Sequence, residues 1–345
     1  MSLFRFKKNI GLDLGSDTTQ IYLAGRGIVV NEPSIVAFNN QTNRVIAVGE
    51  EAKKMLSRTP AHITALRPIA SGVIADFDMA KEMLRQFLKK AKLPWSVFTN
   101  VIAAIPTNLT EVERKSVEDL LKETGSHQIY LIEQPLAAAF GSHLEIDKPT
   151  AYLIVDIGAG TTDMAVISLE GVVVSKRLKI GGNYFNSEII KAVRDEFKLV
   201  IGEPTAEEIK IQAGNAMPPS EHLEVLVRGR DLSTGLPKEV TIKDSQVRLW
   251  LNHSLKLLVE ALKDLIEMTP PELVGDVYKN GIYCCGGDSR LRGIDKVLEK
   301  EIGVAVKIID DPLTSVVRGT GIIAENINAY RHLLNTFSGP KILKA

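Results

Sequence analysis

Short apolar runs rich in isoleucine and valine alternate along the chain with longer segments in which apolar residues recur every three or four positions. The runs predict strands over Asn9–Leu14, Gln20–Leu23, Ser34–Phe38, Val101–Ile105, Gln128–Ile132, Tyr152–Ile157, Met164–Leu169, Val172–Leu178, Gly281–Cys285 and Val304–Ile309. The longer periodic segments predict helices over Met79–Lys90, Glu111–Thr124, Leu136–His143, Phe185–Phe197, Ala206–Gly214, Val247–Met268, Gly293–Gly303 and Ser315–Asn328. Thr110 and Glu113 stand at the spacing of a capping box that opens the second helix. Strands and helices that alternate in this way point to an α/β fold with mixed sheets.

One pattern occurs twice. Residues 10–23 read IGLDLGSDTTQIYL and residues 153–167 read LIVDIGAGTTDMAVI, with Asp13 and Asp156 separated by 156 − 13 = 143 positions. Each is an apolar run, an aspartate, a glycine turn with threonines and a second apolar run, which reads as a hairpin. The polar stretch EIDKPT at 145–150 is a passage between the two halves. The arrangement is a diverged internal duplication and not a short-period repeat array.

Such a turn has a defined chemistry. Glycine lets backbone N–H groups close on a ligand, and several N–H groups pointing one way make an anion nest. Gly15, Gly158 and Gly160 supply the glycines, and Ser16, Thr18, Thr161 and Thr162 add hydroxyl donors. Aspartates at the strand ends, Asp13 and Asp156, can hold a hydrated Mg²⁺ that neutralises phosphate charge. A single Gly-Thr turn is commonplace; two in matching halves indicate a polyphosphate clamped between lobes. Tyr283–Gly293 adds a strand, a Gly286–Gly287 turn that lets backbone approach a planar base or sugar, and a helix start, with Ile180-Gly181-Gly182 as a weaker relative. Glycines within Leu136–Gly141 and Val317–Gly321 cost about 1 kcal/mol each in a helix interior. Either a crossing of two helices that link the lobes or tight packing on a sheet would explain them.

Composition narrows the classes. A chain of 345 residues with 45% hydrophobic residues can bury a sizeable core, and its length suits two domains or one two-lobed unit. Equal numbers of basic and acidic residues, 42 each, argue against nucleic acid as a partner. No apolar run approaches the roughly 18 residues of a membrane span, and the N-terminal residues show no signal-peptide core. Adjacent Cys284 and Cys285 and six scattered histidines give no ligand spacing for a protein-built metal site.

Taken together, the two turns, the Gly-Gly loop and the small-residue helices resemble the actin, sugar-kinase and heat-shock-chaperone ATPase superfamily. Longer strings, among them GIVVNEPSIVAF (27–38), AVGEEAKKMLSRTP (47–60), LRPIASGVIADF (66–77), AVISLEGVV (165–173), IGEPTAEEIK (201–210), LSTGLP (232–237), TPPEL (269–273) and DPLTSVVRGTG (311–321), resemble the bacterial actin-like MreB family from Ile10 to about Asn328. The resemblance implies an actin-like two-lobed α/β fold, built from duplicated ribonuclease-H-like domains with four subdomains and a nucleotide cleft. The implied lobes are 1–144 plus 315–345, with a small subdomain at about 33–65, and 145–314, with one at about 183–244. ATP or ADP with Mg²⁺ is implied in the cleft. Ser16, Asp17 and Thr18 match the first phosphate loop, and Gly158, Ala159, Gly160 and Thr161 the second. Glu207, Glu208, Ile209 and Lys210 match the segment at the adenosine; Gly286, Gly287, Asp288 and Ser289 match the base loop. Self-assembly into filaments, usually paired antiparallel, on the inner face of the cytoplasmic membrane is implied too, with shape-determining and wall-synthesis proteins as partners and a role in cell shape.

Three positions depart from the family's usual pattern. SDTT replaces TANT, which places the Asp17 charge near the phosphates; GGDS replaces GGGS; and LIEQP replaces IEEP, so that Gln134 stands where a glutamate usually positions the attacking water. Glutamine can orient water but cannot accept its proton, so normal ATP binding with slow ATP hydrolysis is expected. Trp95, Val97 and Phe98 follow a lysine-rich helix end and suit an interfacial membrane anchor, with N-terminal Leu3, Phe4 and Phe6 as candidate auxiliaries. A sugar kinase or a chaperone of the same superfamily is the alternative. The first needs a base aimed at a substrate hydroxyl, for which no motif is found. The second carries a substrate domain after the ATPase, whereas this chain is expected to stop soon after its last core helix.

Overall fold

The computed structural model describes residues 8–92, 98–218 and 222–337. The chain opens with β1 (Lys8–Leu14), β2 (Thr18–Leu23) and β3 (Gly27–Pro33), then β4 (Val36–Asn39), β5 (Arg44–Val48), α1 (Glu50–Met55) and β6 (Ile63–Leu66). A two-stranded turn, β7 (Ile69–Ala70) and β8 (Val73–Ile74), leads to α2 (Phe77–Lys90), β9 (Phe98–Ile105), α3 (Glu111–Glu123), β10 (Gln128–Glu133) and α4 (Gln134–Gly141). The second half follows with β11 (Tyr152–Ile157), β12 (Thr162–Ser168), β13 (Gly171–Leu178), α5 (Gly182–Phe197), β14 (Leu199–Val200) and α6 (Glu203–Ala213). It continues through β15 (Glu224–Asp231), β16 (Pro237–Lys243), α7 (Asp244–Glu267), α8 (Pro271–Asn280), β17 (Ile282–Cys285), α9 (Ile294–Ile302), β18 (Val306–Ile308), α10 (Ser315–Glu325) and α11 (Arg331–Phe337).

The duplication read from the sequence is a duplication of topology. One sheet runs β10-β9-β1-β2-β3 and the other β18-β17-β11-β12-β13. In each, an antiparallel meander is extended on one side by two parallel strands. Small three-stranded sheets, β5-β4-β6 and β14-β15-β16, sit outside these frames.

Strand alternation decides what each face covers. On β9, Val101, Ala103 and Ile105 join the core of the first half, while Ile102 and Ala104 face the other way. On β11 and β12, Leu153, Val155, Met164 and Val166 face the core of the second half, and Ile154, Ala165 and Ile167 point oppositely. These opposite faces share a third core with Leu136–Phe140 of α4 and Val316 and Ile323 of α10, so the two helices lie between the sheets. Burial on both faces is the reason that β11 and β12 read as nearly unbroken apolar runs.

The α4–α10 contact accounts for the helix glycines. A Cβ on Gly319 would overlap the Ala137 carbonyl, and one on Gly141 the Ser315 carbonyl. The same helix lies on the first sheet, where a Cβ on Gly11 would strike Thr320 and Gly321. Both sequence explanations, a helix crossing and close sheet packing, therefore hold at once. The Thr110–Glu113 capping box is present, with Glu113 N donating to Thr110 Oγ1 at 3.2 Å and Thr110 N to Glu113 Oε2 at 2.8 Å.

Gly319→Ala should destabilise the chain by about 3 kcal/mol, because the obstacle is backbone and cannot rotate away. Gly275→Ala in α8, where a Cβ meets nothing within 4 Å, should instead gain about 1 kcal/mol of helix propensity. Urea denaturation followed by circular dichroism reads both; equal shifts would contradict the crossing.

Candidate functional site

The two turns have the same internal hydrogen bond. Gly15 N donates to Thr18 O at 3.1 Å, and Gly158 N donates to Thr161 O at 2.9 Å. They also meet: a Cβ on Gly160 would press on the Ser16 side chain and on Ser71. Buried Ser16 accepts from Gly72 N at 2.9 Å. The second turn rests on the start of α5, with Gly182 N donating to Gly158 O at 3.1 Å and Asn183 N to Ala159 O at 2.8 Å. Thr161 and Thr162 spend their hydroxyls internally, on Asp163 Oδ2 at 2.8 Å and Ile180 O at 2.8 Å. Thr18 Oγ1 stays within the first turn, 3.4 Å from Asp17 Oδ2.

Strand alternation brings three carboxylates to the space between the sheets. Asp13 shares a face with Gly11, which lies against α10; Asp156 shares one with Ile154, and Asp163 with Ala165 and Ile167. In the hairpin registers Asp13 lies opposite Gln20, whereas Asp156 lies opposite Asp163. Burial pushes the Asp13 carboxyl up to about 6, against the opposing pull of the hydrogen bond from Gln134 Nε2 at 3.3 Å. Burial first, then the Asp13 and Asp163 charges, push Asp156 up to about 8, while a hydrogen bond with Cys285 pulls it back. Repulsion from the Asp13 charge and, after it, from cross-strand Asp163 adds to burial at Asp156, whereas at Asp13 burial acts against a hydrogen bond alone. Asp163 is raised by burial too, but Thr107 N at 2.7 Å, Thr107 Oγ1 at 2.8 Å and Thr161 Oγ1 all donate to it. Thr107 follows β9 of the first sheet, so Asp163 ties the two sheets together.

A second polar cluster faces α5. Lys210 Nζ lies 2.6 Å from Asp288 Oδ1 and 3.0 Å from Glu207 Oε2, and Asn186 Nδ2 donates to Glu207 at 2.7 Å. Burial drives Asp288 up to about 6 against the pull of Lys210; burial would lower Lys210, but Asp288 and Glu207 outweigh it and raise the lysine. At neutral pH the pair is ionic. Gly286, at φ +82°, donates its N–H to Pro312 O at 2.9 Å, and a Cβ there would strike the Asp156 carboxylate and Ile157. Gly287 opens a short 3₁₀ turn through Arg290, within which Ser289 Oγ donates to Gly286 O at 2.7 Å. The remaining residues of the 207–210 run point elsewhere. Ile209 is in the core of the second half, and Glu208 accepts from Gln212 on the exposed side.

Sequence reasoning assigned no role to Asp163, Thr107, Arg67 or Arg177. Arg177 donates to the Ser71 carbonyl across the turns. Arg67 Nη2 pairs with Asp17 Oδ1 at 3.3 Å and Glu203 Oε1 at 2.6 Å, so the extra acid of the first turn is countered. An acid within the apolar run of β12, buried from Thr162 to Ile167, was the available signal for Asp163. Glu133, beside Gln134, is raised by burial, with Arg114 opposing. Trp95 and Val97 lie outside the described residues, as do Leu3, Phe4 and Phe6, and the Phe98 side chain is also outside them. Among the described residues no helix is long and apolar enough to cross a membrane, and no group of three or more His, Cys, Asp or Glu side chains gathers for a metal.

Duplicated meanders with added parallel strands, a helix pair between them and abutting glycine turns define an actin-like protein. The solved structure of MreB5 of Spiroplasma citri bound to ADP shares 36% identity, covers 95% of this chain and 99% of that one, and superposes with a TM-score of 0.91; the same protein is known bound to AMPPNP. A MamK double helical filament matches at TM-score 0.79 with 22% identity, over 93% of this chain and 99% of that one, a likeness of fold. The cell shape-determining protein Mbl of Bacillus subtilis is 41% identical over 325 residues, 94% of this chain and 97% of its own. The MreB/Mbl protein family model matches residues 7–332, and the chain belongs to that family.

The raised carboxyls set a pH dependence. A group that folding moves upward favours its protonated form when folded, so the stability it contributes is present below its ordinary value of 3.8 and lost as pH rises through about 6 for Asp13 and about 8 for Asp156. Nucleotide-free protein in EDTA should therefore lose stability to urea as pH rises from about 5 to about 9, and Asp156→Asn should remove most of the upper part of that slope. An unchanged slope in the variant would contradict the assignment.

Proposed function

We propose that the chain is a cytoskeletal protein that binds an adenine nucleotide with Mg²⁺ between its sheets and assembles with its own copies into filaments. The observation that carries this reading is the meeting of two equivalent turns, Ser16 against Gly160, beside buried Asp13 and Asp156. A polyphosphate lying there has backbone N–H groups from both halves within reach and is a natural tie between them. The ADP and AMPPNP complexes of MreB5, at 36% identity, support the choice of ligand.

In this reading Ser16, Asp17, Thr18 and the run Gly158–Thr161 surround the phosphates. Lys210 and Glu207 lie toward the adenosine, and Gly286–Ser289 toward the base. The lobes are 1–144 plus 315–345 and 145–314, an assignment supported by the packing of α10 on β1. Asp13 and Asp156 fit a hydrated Mg²⁺: both are buried acids, and neither forms an ion pair with a lysine or arginine among the described residues. The ion would neutralise phosphate charge, retaining several of its waters. Gln134 gives its amide nitrogen to Asp13 and leaves the amide oxygen to orient a water. Since it cannot take the proton, hydrolysis is slow. Trp95, Val97 and Phe98 anchor the filament to the inner face of the membrane, where it organises cell shape and wall synthesis.

Full-length protein should pellet and show filaments by electron microscopy with Mg·ATP, and a panel of sugars should leave ADP release unchanged; sugar-stimulated release without polymer would favour a phosphotransferase. Gln134→Ala should lower phosphate release by about tenfold or more, and Gln134→Glu should raise it. Unchanged turnover in both would remove Gln134 from the reaction. Trp95→Ser combined with Phe98→Ser should abolish co-sedimentation with anionic liposomes while Mg·ATP binding persists; retained sedimentation would place the anchor elsewhere.

A further inference from the structure

The triad Asp17, Arg67 and Glu203 joins three distant parts of the chain. Asp17 is in the turn between β1 and β2. Arg67 leaves β6 of one small sheet, and Glu203 is the first residue of α6, beside the other small sheet. The guanidinium is largely buried, at 18% exposure, between carboxylates exposed at 43% and 37%. Its Nη2 serves both acids, and its Nη1 is buried without a hydrogen-bond partner. Nearby, Gly202 comes close enough to Ser57, at the end of α1, that an added Cβ would lie 3.7 Å from its hydroxyl. The two small sheets thus approach each other here, with Arg67 making the charged link.

Each partner has a physical reason to hold its place. Glu203, in the first turn of α6, is favoured by the helix dipole and remains a good acceptor for a cation. Asp17 is an acid in a turn built to receive anions, and its charge also adds to the upward push on Asp288. Arg67 neutralises it and gains from it a fixed position. Arginine suits the task because its planar fork can hold two carboxylates and still present an unused N–H.

We propose that Arg67 is a latch across the mouth of the cleft, anchored by Asp17 and closed on Glu203, that sets how fast bound nucleotide leaves. The proposal rests on the nucleotide reading above. A nucleotide leaving past the small sheets must part Arg67 from Glu203, so loss of that pair raises the release rate. Because the carboxylates are partly exposed, salt weakens the latch.

The test is stopped-flow release of N-methylanthraniloyl-ADP from the Mg²⁺-loaded full chain. Glu203→Gln should accelerate release about fivefold, as expected for a partly exposed pair, with the unfolding temperature unchanged. Arg67→Gln should do the same, and the double variant should be no faster than the quicker single one. Raising salt should speed release from wild type and leave Glu203→Gln nearly unaffected. Unchanged release in Glu203→Gln, or additive effects in the double variant, would overturn the latch while leaving the nucleotide site intact. Failure of wild type to bind the fluorescent ADP would instead overturn the nucleotide reading itself.

Discussion

Acidic side chains held out of water at the inner ends of two facing sheets are the constraint on which the rest of this structure depends. Removing a carboxylate from water is costly unless something compensates, and the ordinary compensations are a counter-ion, a set of donors or a proton. Asp163 takes the second, with three donors from Thr107 and Thr161. Asp13 and Asp156 have weaker local support, and their carboxyls are driven well above the usual carboxylate range. A cation brought in with a polyphosphate is the compensation that the proposed function supplies, and it makes ligand binding part of the electrostatics of the fold.

That constraint acts through contacts that cross between the sheets. Asp163 reaches Thr107, Ser16 lies against Gly160, Arg177 reaches Ser71, and α4 and α10 touch with backbone against backbone where Gly141 and Gly319 lack side chains. Close helix packing of this kind leaves little room for sliding, so relative movement of the halves is expected as rotation about the helix pair. The small sheets, farther from it, would then move most. Arg67 and Glu203 stand where such movement would be felt, which is the basis of the latch proposed for them.

Much of this frame was legible in the residues. The hairpins β1–β2 and β11–β12 showed themselves because apolar runs, an aspartate and a glycine turn recur at an interval of 143 positions, and the α3 capping box because its geometry depends on local residues alone. Other elements hid for physical reasons. In β15, EVLVRGRD, buried Val225 and Val227 alternate with exposed charged and apolar residues, and β16 begins at a proline. Helix α8 is short, opens on Pro271 and contains Gly275. The partners of Asp163 and Arg67 could not be read from spacing. One depends on the register that sets it opposite Asp156, and the other on three segments brought together only by tertiary packing.

The most direct test of the central claim is hydrogen–deuterium exchange at the amides of residues 15–18 and 158–161, with and without Mg·ADP. If one polyphosphate is held by both turns, both segments gain protection together and with the same dependence on nucleotide concentration. Protection confined to one turn, or absent from both while nucleotide is bound, would contradict the account.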